Sequence, residues 1–148
     1  MINRLTVVCS GNICRSPYAQ VLLNDLLADV EVDSAGVLVA THDLNDHPAV
    51  EHSQTLANEH GLSLSEHKAK QLTPELVECS DLILVMTHEH IEQVAAIASG
   101  ARAKTLLLGQ WIGVGEIKDP IGKDLEVFKQ CFSTVEKAAI SWASRLKR

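Results

Sequence analysis

Residues 5–17 read Leu5-Thr6-Val7-Val8-Cys9-Ser10-Gly11-Asn12-Ile13-Cys14-Arg15-Ser16-Pro17. The apolar, partly β-branched stretch before Cys9 has the makeup of a short buried parallel strand. Pro17 suits the first turn of a helix, where its missing N–H leaves no bond unmade. Val21, Leu22, Leu26 and Leu27 then recur at helical spacing and predict that helix's core face. A strand, a tight loop and a helix in this order place the loop at the carboxyl end of a strand, where open α/β sheets bind ligands.

The loop residues share one chemistry. Successive backbone N–H groups running into a helix N-terminus form a concave anion site. Gly11 and Asn12 tolerate the left-handed backbone that so tight a curl needs. Arg15 offers a planar fork that grips two oxygens of a phosphate. The same positive potential favours the sulfur of Cys9 as a thiolate, its nucleophilic form. Ser16 is placed to donate a hydrogen bond to that sulfur. Ser10, Gly11, Asn12, Ile13, Cys14 and Ser16 are the expected phosphate-binding positions around it.

The rest of the chain predicts a doubly wound α/β fold: a four-stranded parallel sheet with helices on both faces and the phosphate loop after strand 1. Further strands are expected over 30–35, 82–86 and 104–108. Helices are expected over 48–60, 74–79, 88–98 and 125–146, with Leu125, Phe128, Val135, Ala139 and Trp142 on the core side of the last. At 148 residues the chain suits one domain over 1–148.

Composition excludes several functions. The net charge of −6 argues against a general nucleic-acid binder. No apolar run approaches the ~20 residues of a membrane span, and the first residues lack a signal peptide's apolar core, so a cytoplasmic protein is expected. The four cysteines then read as thiols, with Cys79 and Cys131 expected in the core. His88 and His90 sit two apart and diverge on a helix, and His42, His47 and His52 follow no ligand spacing. No metal and no cofactor are expected.

With these residues in hand, the chain resembles the low-molecular-weight protein tyrosine phosphatases, whose signature is similar to Cys9-x-Gly11-Asn12-Ile13-Cys14-Arg15-Ser16-Pro17. Three later segments resemble the family in order: Val32-Asp33-Ser34-Ala35-Gly36, His67-Lys68-Ala69-Lys70-Gln71-Leu72 (with Lys70 where arginine is usual) and Asp119-Pro120. Among its branches the chain is most similar to bacterial enzymes associated with capsule or exopolysaccharide production. The resemblance implies that Cys9 attacks phosphorus to form a phosphocysteine, that Arg15 clamps the phosphoryl oxygens, and that Asp119 serves as general acid and then base. It implies that Ser34 and His67 brace Asn12. It also implies a phosphotyrosine protein as substrate, a bacterial tyrosine autokinase among the partners.

Cys14 has two readings: a small residue packed under the loop, or, by the resemblance, a redox partner forming a reversible disulfide that shields Cys9. At position 121 the family often carries tyrosine beside the substrate ring, whereas this chain has Ile121. Leu38, Val39, Leu44, Ile117 and Ile121 are therefore expected to form an aliphatic substrate wall, with Trp111 packed beneath the acid loop. Three alternatives compete with this reading. A protein arginine phosphatase tends to carry threonine where Ile13 stands. An arsenate reductase of this fold needs two further cysteines, and after Cys79 none follows until Cys131. A phosphotyrosine-binding module needs neither the thiol nor Asp119.

Overall fold

In the computed structural model, which describes residues 1–147, four parallel strands form one sheet in the order β2-β1-β3-β4. They are β1 (Arg4–Cys9), β2 (Glu31–Gly36), β3 (Leu82–Val85) and β4 (Thr105–Leu107). The helices are α1 (Arg15–Leu26), α2 (Glu51–Glu59), α3 (Pro74–Cys79), α4 (His88–Ile97) and α5 (Leu125–Leu146). The chain winds outward from β1 to β2, then returns across β1 to lay down β3 and β4 on its other side. That reversal opens a crevice at the carboxyl end of β1, where the loop 10–14 lies.

Alternation along the strands feeds two cores. Leu5, Val7 and Cys9 of β1 and Leu82 and Leu84 of β3 face α1, α2 and α5, whereas Val8, Ile83 and Val85 face the side of α3 and α4. The register Val7↔Ser34 and Val7↔Leu84 pairs β1 along both edges while the two cores cover its faces, so its run is apolar except for Thr6, whose hydroxyl bonds that of Ser80. On α5, Phe128, Phe132, Val135, Ala139 and Trp142 follow helical spacing into the first core. Phe132 stacks on Tyr18 of α1 with ring centroids 4.1 Å apart.

Local caps set several ends. Thr73 accepts from the N–H of Leu76 ahead of Pro74, and Asp124 accepts from that of Val127, so α3 and α5 begin where the sequence places them. Elsewhere tertiary contacts displace the expectation. Helix α2 starts at Glu51 and not at 48, because Val50 is extended and its N–H donates to the Ile13 carbonyl at 2.9 Å. β4 begins at Thr105 because Ala101–Lys104 forms a 3₁₀ turn. In α1 the fully buried stripe is Tyr18, Ala19 and Leu23, with Val21, Leu22 and Leu26 only partly covered. That helix is apolar on more than one face, so periodicity alone does not select the buried one. Cys79 is exposed at the end of α3, and Cys131 is half-buried. No helix among the described residues is long and apolar enough to cross a membrane.

One close approach fixes where the loop meets β2. A Cβ on Gly36 would lie 2.5 Å from the Ser10 carbonyl oxygen and 2.7 Å from Val39 Cγ2. Gly36→Ala is therefore expected to lower stability by about 1–3 kcal/mol through overpacking. Urea unfolding monitored by circular dichroism checks this, and an unchanged midpoint would refute it.

Candidate active site

Four carbonyls at the loop, those of Cys9, Ser10, Asn12 and Ile13, are drawn into bonds with neighbouring segments. Val37 N–H donates to the Cys9 carbonyl at 3.1 Å, Leu38 N–H to Ser10 at 2.9 Å, and Val50 N–H to Ile13 at 2.9 Å. His67 Nε2 donates to the Asn12 carbonyl at 2.6 Å. Across a trans peptide the next N–H points opposite to the carbonyl, so these bonds turn the following N–H groups toward the enclosed space. The anion cradle is thus made by pulling the oxygens away from it.

Asn12 holds the curl. Its backbone lies in the left-handed region at φ 55°, and the residue is wholly buried. Its Nδ2 donates to Ser16 Oγ at 2.8 Å and to Ser34 Oγ at 3.0 Å, and its Oδ1 accepts from the Lys70 N–H at 3.0 Å. The donors and acceptors then set the protons. Ser34 Oγ passes its own proton to Gln20 Oε1 at 2.6 Å. Ser16 Oγ, already accepting from Asn12, lies 3.0 Å from Cys9 Sγ and is the donor to that sulfur whenever it is a thiolate. Burial, and Lys70 after it, lower the His67 pKa against the pull of the Asn12 carbonyl, which keeps this ring neutral and its single N–H on that bond.

Cys9 closes β1 at 1% exposure, directly beside that serine. Burial and the nearby Cys9 push the Cys14 thiol pKa up, which keeps that thiol protonated. The thiol of Cys131 is likewise raised by burial, to about 11. Arg15 is buried; its Nη1 donates to the Ile117 carbonyl at 2.7 Å and its Nη2 stands 3.6 Å from Asp119 Oδ2. Its Nε is buried and meets no polar partner among the described residues, a donor in place for an anion.

The segment carrying Asp119 is moored at three points. Glu116 accepts from the backbone and ring of His88, Ile117 N–H donates to Met86, and the Ile117 carbonyl receives Arg15. Beyond them, Asp119 Oδ1 accepts from the Ile121 N–H at 3.0 Å, and its side chain remains 46% exposed.

These groups surround a cavity of about 360 Å³. Cys9, Ser10, Gly11, Ile13, Cys14 and Arg15 form its floor, with His42, Leu44, Asp119 and Ile121 around the mouth. Three of the expected wall residues lie elsewhere. Val39 is fully buried against Gly36, and Leu38 packs on the core under α3 and α4. The Ile117 side chain enters the core with α1 and α5 because its carbonyl, not its side chain, faces Arg15. Trp111 lies away from the acid segment, edge-on to Trp142 and beneath the Arg145 guanidinium. The sequence weighs His42 and His90 only as metal ligands and does not single out Gln20, yet His42 lines the cavity and the other two bond to Ser10 and Ser34. Gln20 follows Ser16 by one helical turn, a spacing that points toward it, whereas His90 has no local signal. Among the described residues no three His, Cys, Asp or Glu side chains converge as a metal site would require.

The sequence model of the family described as low molecular weight phosphotyrosine protein phosphatase matches residues 4–148. Etp of Escherichia coli strain K12, named a low molecular weight protein-tyrosine-phosphatase, is 46% identical over 146 residues, covering 99% of this chain and 96% of its own. The structure of Vibrio vulnificus Wzb in complex with benzylphosphonate superposes with a TM-score of 0.96 at 39% identity, covering 99% of this chain and 100% of its own. YwlE of Bacillus subtilis, an arginine phosphatase, is more distant: TM-score 0.88 at 30% identity, covering 97% of this chain and 95% of its own. The α/β fold with a thiol set in an anion loop is that of the cysteine-dependent phosphatases. The chain belongs to the low molecular weight phosphotyrosine protein phosphatase family.

His90 gives the site a pH signature. Burial, and Arg15 after it, lower its pKa to about 4 against the opposing pull of Asp119 and Glu116. In an unfolded chain histidine titrates near about 6.5. Between these values the unfolded state holds a proton that the folded state refuses, so stability falls as pH drops from about 6.5 toward 4. Urea midpoints across that window should decline more steeply in the wild type than in His90→Gln. Equal slopes would show that His90 titrates normally in the fold.

Proposed function

We propose that this protein hydrolyses phosphotyrosine in proteins through a phosphocysteine intermediate. The observation carrying this reading is that Cys9, Arg15 and Asp119, from opposite ends of the sequence, line one cavity, with Ser16 hydrogen-bonded to the sulfur. Cys9 attacks phosphorus in line while Asp119 protonates the departing phenolic oxygen. Water then attacks the phosphocysteine, Asp119 takes its proton, and the thiolate leaves with Ser16 stabilising the sulfur. Arg15 and the inward N–H groups hold the equatorial oxygens throughout, which supplies the charge stabilisation phosphoryl transfer needs. Ser34 and His67 act through Asn12 by fixing the loop's shape.

The mouth supports an aromatic phosphomonoester. Ile13, Leu44 and Ile121 offer apolar flanks for a ring, and an isoleucine at position 13 gives a guanidinium no polar partner. That contrast favours phosphotyrosine over phosphoarginine, as do the names of Etp and Wzb and the benzylphosphonate held by the Vibrio protein. Within the bacterial branch, a tyrosine autokinase governing polysaccharide production is the partner we infer, with the enzyme acting in the cytoplasm. Cys14 faces the same cavity as Cys9, which supports a role as its redox partner.

Assays with p-nitrophenyl phosphate, phosphotyrosine peptides and phosphoarginine peptides, with chelator present, test the reading. Cys9→Ser is expected to abolish turnover. Asp119→Ala is expected to slow phosphotyrosine peptides by about 10²–10³-fold and p-nitrophenyl phosphate, with its better leaving group, much less. Full activity in Cys9→Ser would overturn the mechanism. A preference for phosphoarginine would overturn the substrate.

A further inference from the structure

His90, on α4, is 97% covered, and its Nε2 lies 2.9 Å from Ser10 Oγ in the cavity floor. Its other ring nitrogen, Nδ1, is buried and meets no polar partner among the described residues. A neutral imidazole carries one N–H, and the two tautomers leave different atoms stranded. With the proton on Nδ1, a buried N–H donor goes unpaired. With the proton on Nε2, only a bare ring nitrogen does. Orphaned buried N–H donors are the rarer and costlier case, so the proton belongs on Nε2.

That choice decides what Ser10 does. If Nε2–H donates to Ser10 Oγ, the hydroxyl proton of Ser10 is not used on His90 and is free for another acceptor. Ser10 lines the cavity, and with its carbonyl bonded to the Leu38 N–H its hydroxyl is the group left to serve a bound ligand. We propose that Ser10 is a side-chain donor to the bound phosphoryl group, and that His90 is the positioning residue that aims its hydroxyl there. The inference rests on the cavity being a phosphoryl site, as proposed above. It adds one side-chain arm to a cradle otherwise built from N–H groups and Arg15. Burial and the neighbouring Arg15 both disfavour a protonated His90, in keeping with a neutral ring that has a single proton to place.

A double-mutant cycle reads this directly, with inorganic phosphate as the probe and its competitive inhibition constant against p-nitrophenyl phosphate as the readout. Ser10→Ala is expected to weaken phosphate about tenfold, the usual loss for a hydrogen bond to a charged group. His90→Leu should weaken it comparably, and Ser10→Ala/His90→Leu should be no worse than either single variant. His90→Gln, whose amide nitrogen reaches the position of Nε2, should recover phosphate affinity to within about threefold of wild type. A purely structural histidine would not show this pattern, since its loss would add to that of Ser10. An inhibition constant unchanged in Ser10→Ala, or effects that multiply in the double variant, overturns the proposal. Should His90→Leu not fold, a His90→Gln variant as weak as Ser10→Ala overturns it, and one within threefold of wild type supports it. A wild-type protein that neither binds phosphate nor turns over p-nitrophenyl phosphate takes down the phosphatase reading with it. A failed cycle in an active enzyme removes this inference alone.

Discussion

Asn12 is held in the left-handed region, fully buried, by hydrogen bonds to both ends of its side-chain amide and to its own carbonyl. A non-glycine residue persists in that conformation only where its surroundings over-determine it. Here the surroundings are Ser34 in β2, His67 and Lys70 on the segment between α2 and α3, and Ser16 in the first turn of α1. Each is brought in by a different part of the chain. The anion cradle is therefore a product of the sheet's register: if β2 slipped against β1, Ser34 would leave Asn12 and Gly36 would no longer clear Ser10.

The second constraint is the buried Arg15. A buried guanidinium needs partners for its donors, and here one of them is the carbonyl of Ile117, far along the chain. The same contact that satisfies the arginine brings Asp119 to the mouth of the cavity. In the mechanism proposed above, one side chain thus both clamps the phosphoryl group and sets the acid's distance from it. The His88–Glu116 pair and the Met86 carbonyl complete the mooring from the end of β3. Asp119 itself stays half-exposed, in keeping with its proposed exchange of protons with substrate and water.

Much of this was legible before any coordinates. The strand, loop and helix around Cys9 are encoded locally, and α3 and α5 begin at capping residues that the sequence displays. The acid could be singled out because Asp119-Pro120 matches a family pattern. What escaped notice depended on which way a side chain faces. Leu38, Val39 and Ile117 are as apolar as Leu44 and Ile121, and only the loop's path separates core from rim. Trp111 and Cys79 misled for the same reason, since apolar character does not specify a neighbour. His90 lies on α4, after β3 and 80 residues from Ser10, and no spacing announces such a pair.

The sequence by itself determined which residue types meet, because the proposed nucleophile, clamp and cradle fall within one short stretch between a strand and a helix that both form from local pattern. Only the tertiary structure decided how those groups are tuned. It chose the outward bonds that turn the loop's N–H groups inward, the routing of protons from Asn12 through Ser16 to Cys9, and the buried histidine behind Ser10. Each of these depends on strand register and helix docking, and long-range contacts of that kind carry no local signature in the order of residues.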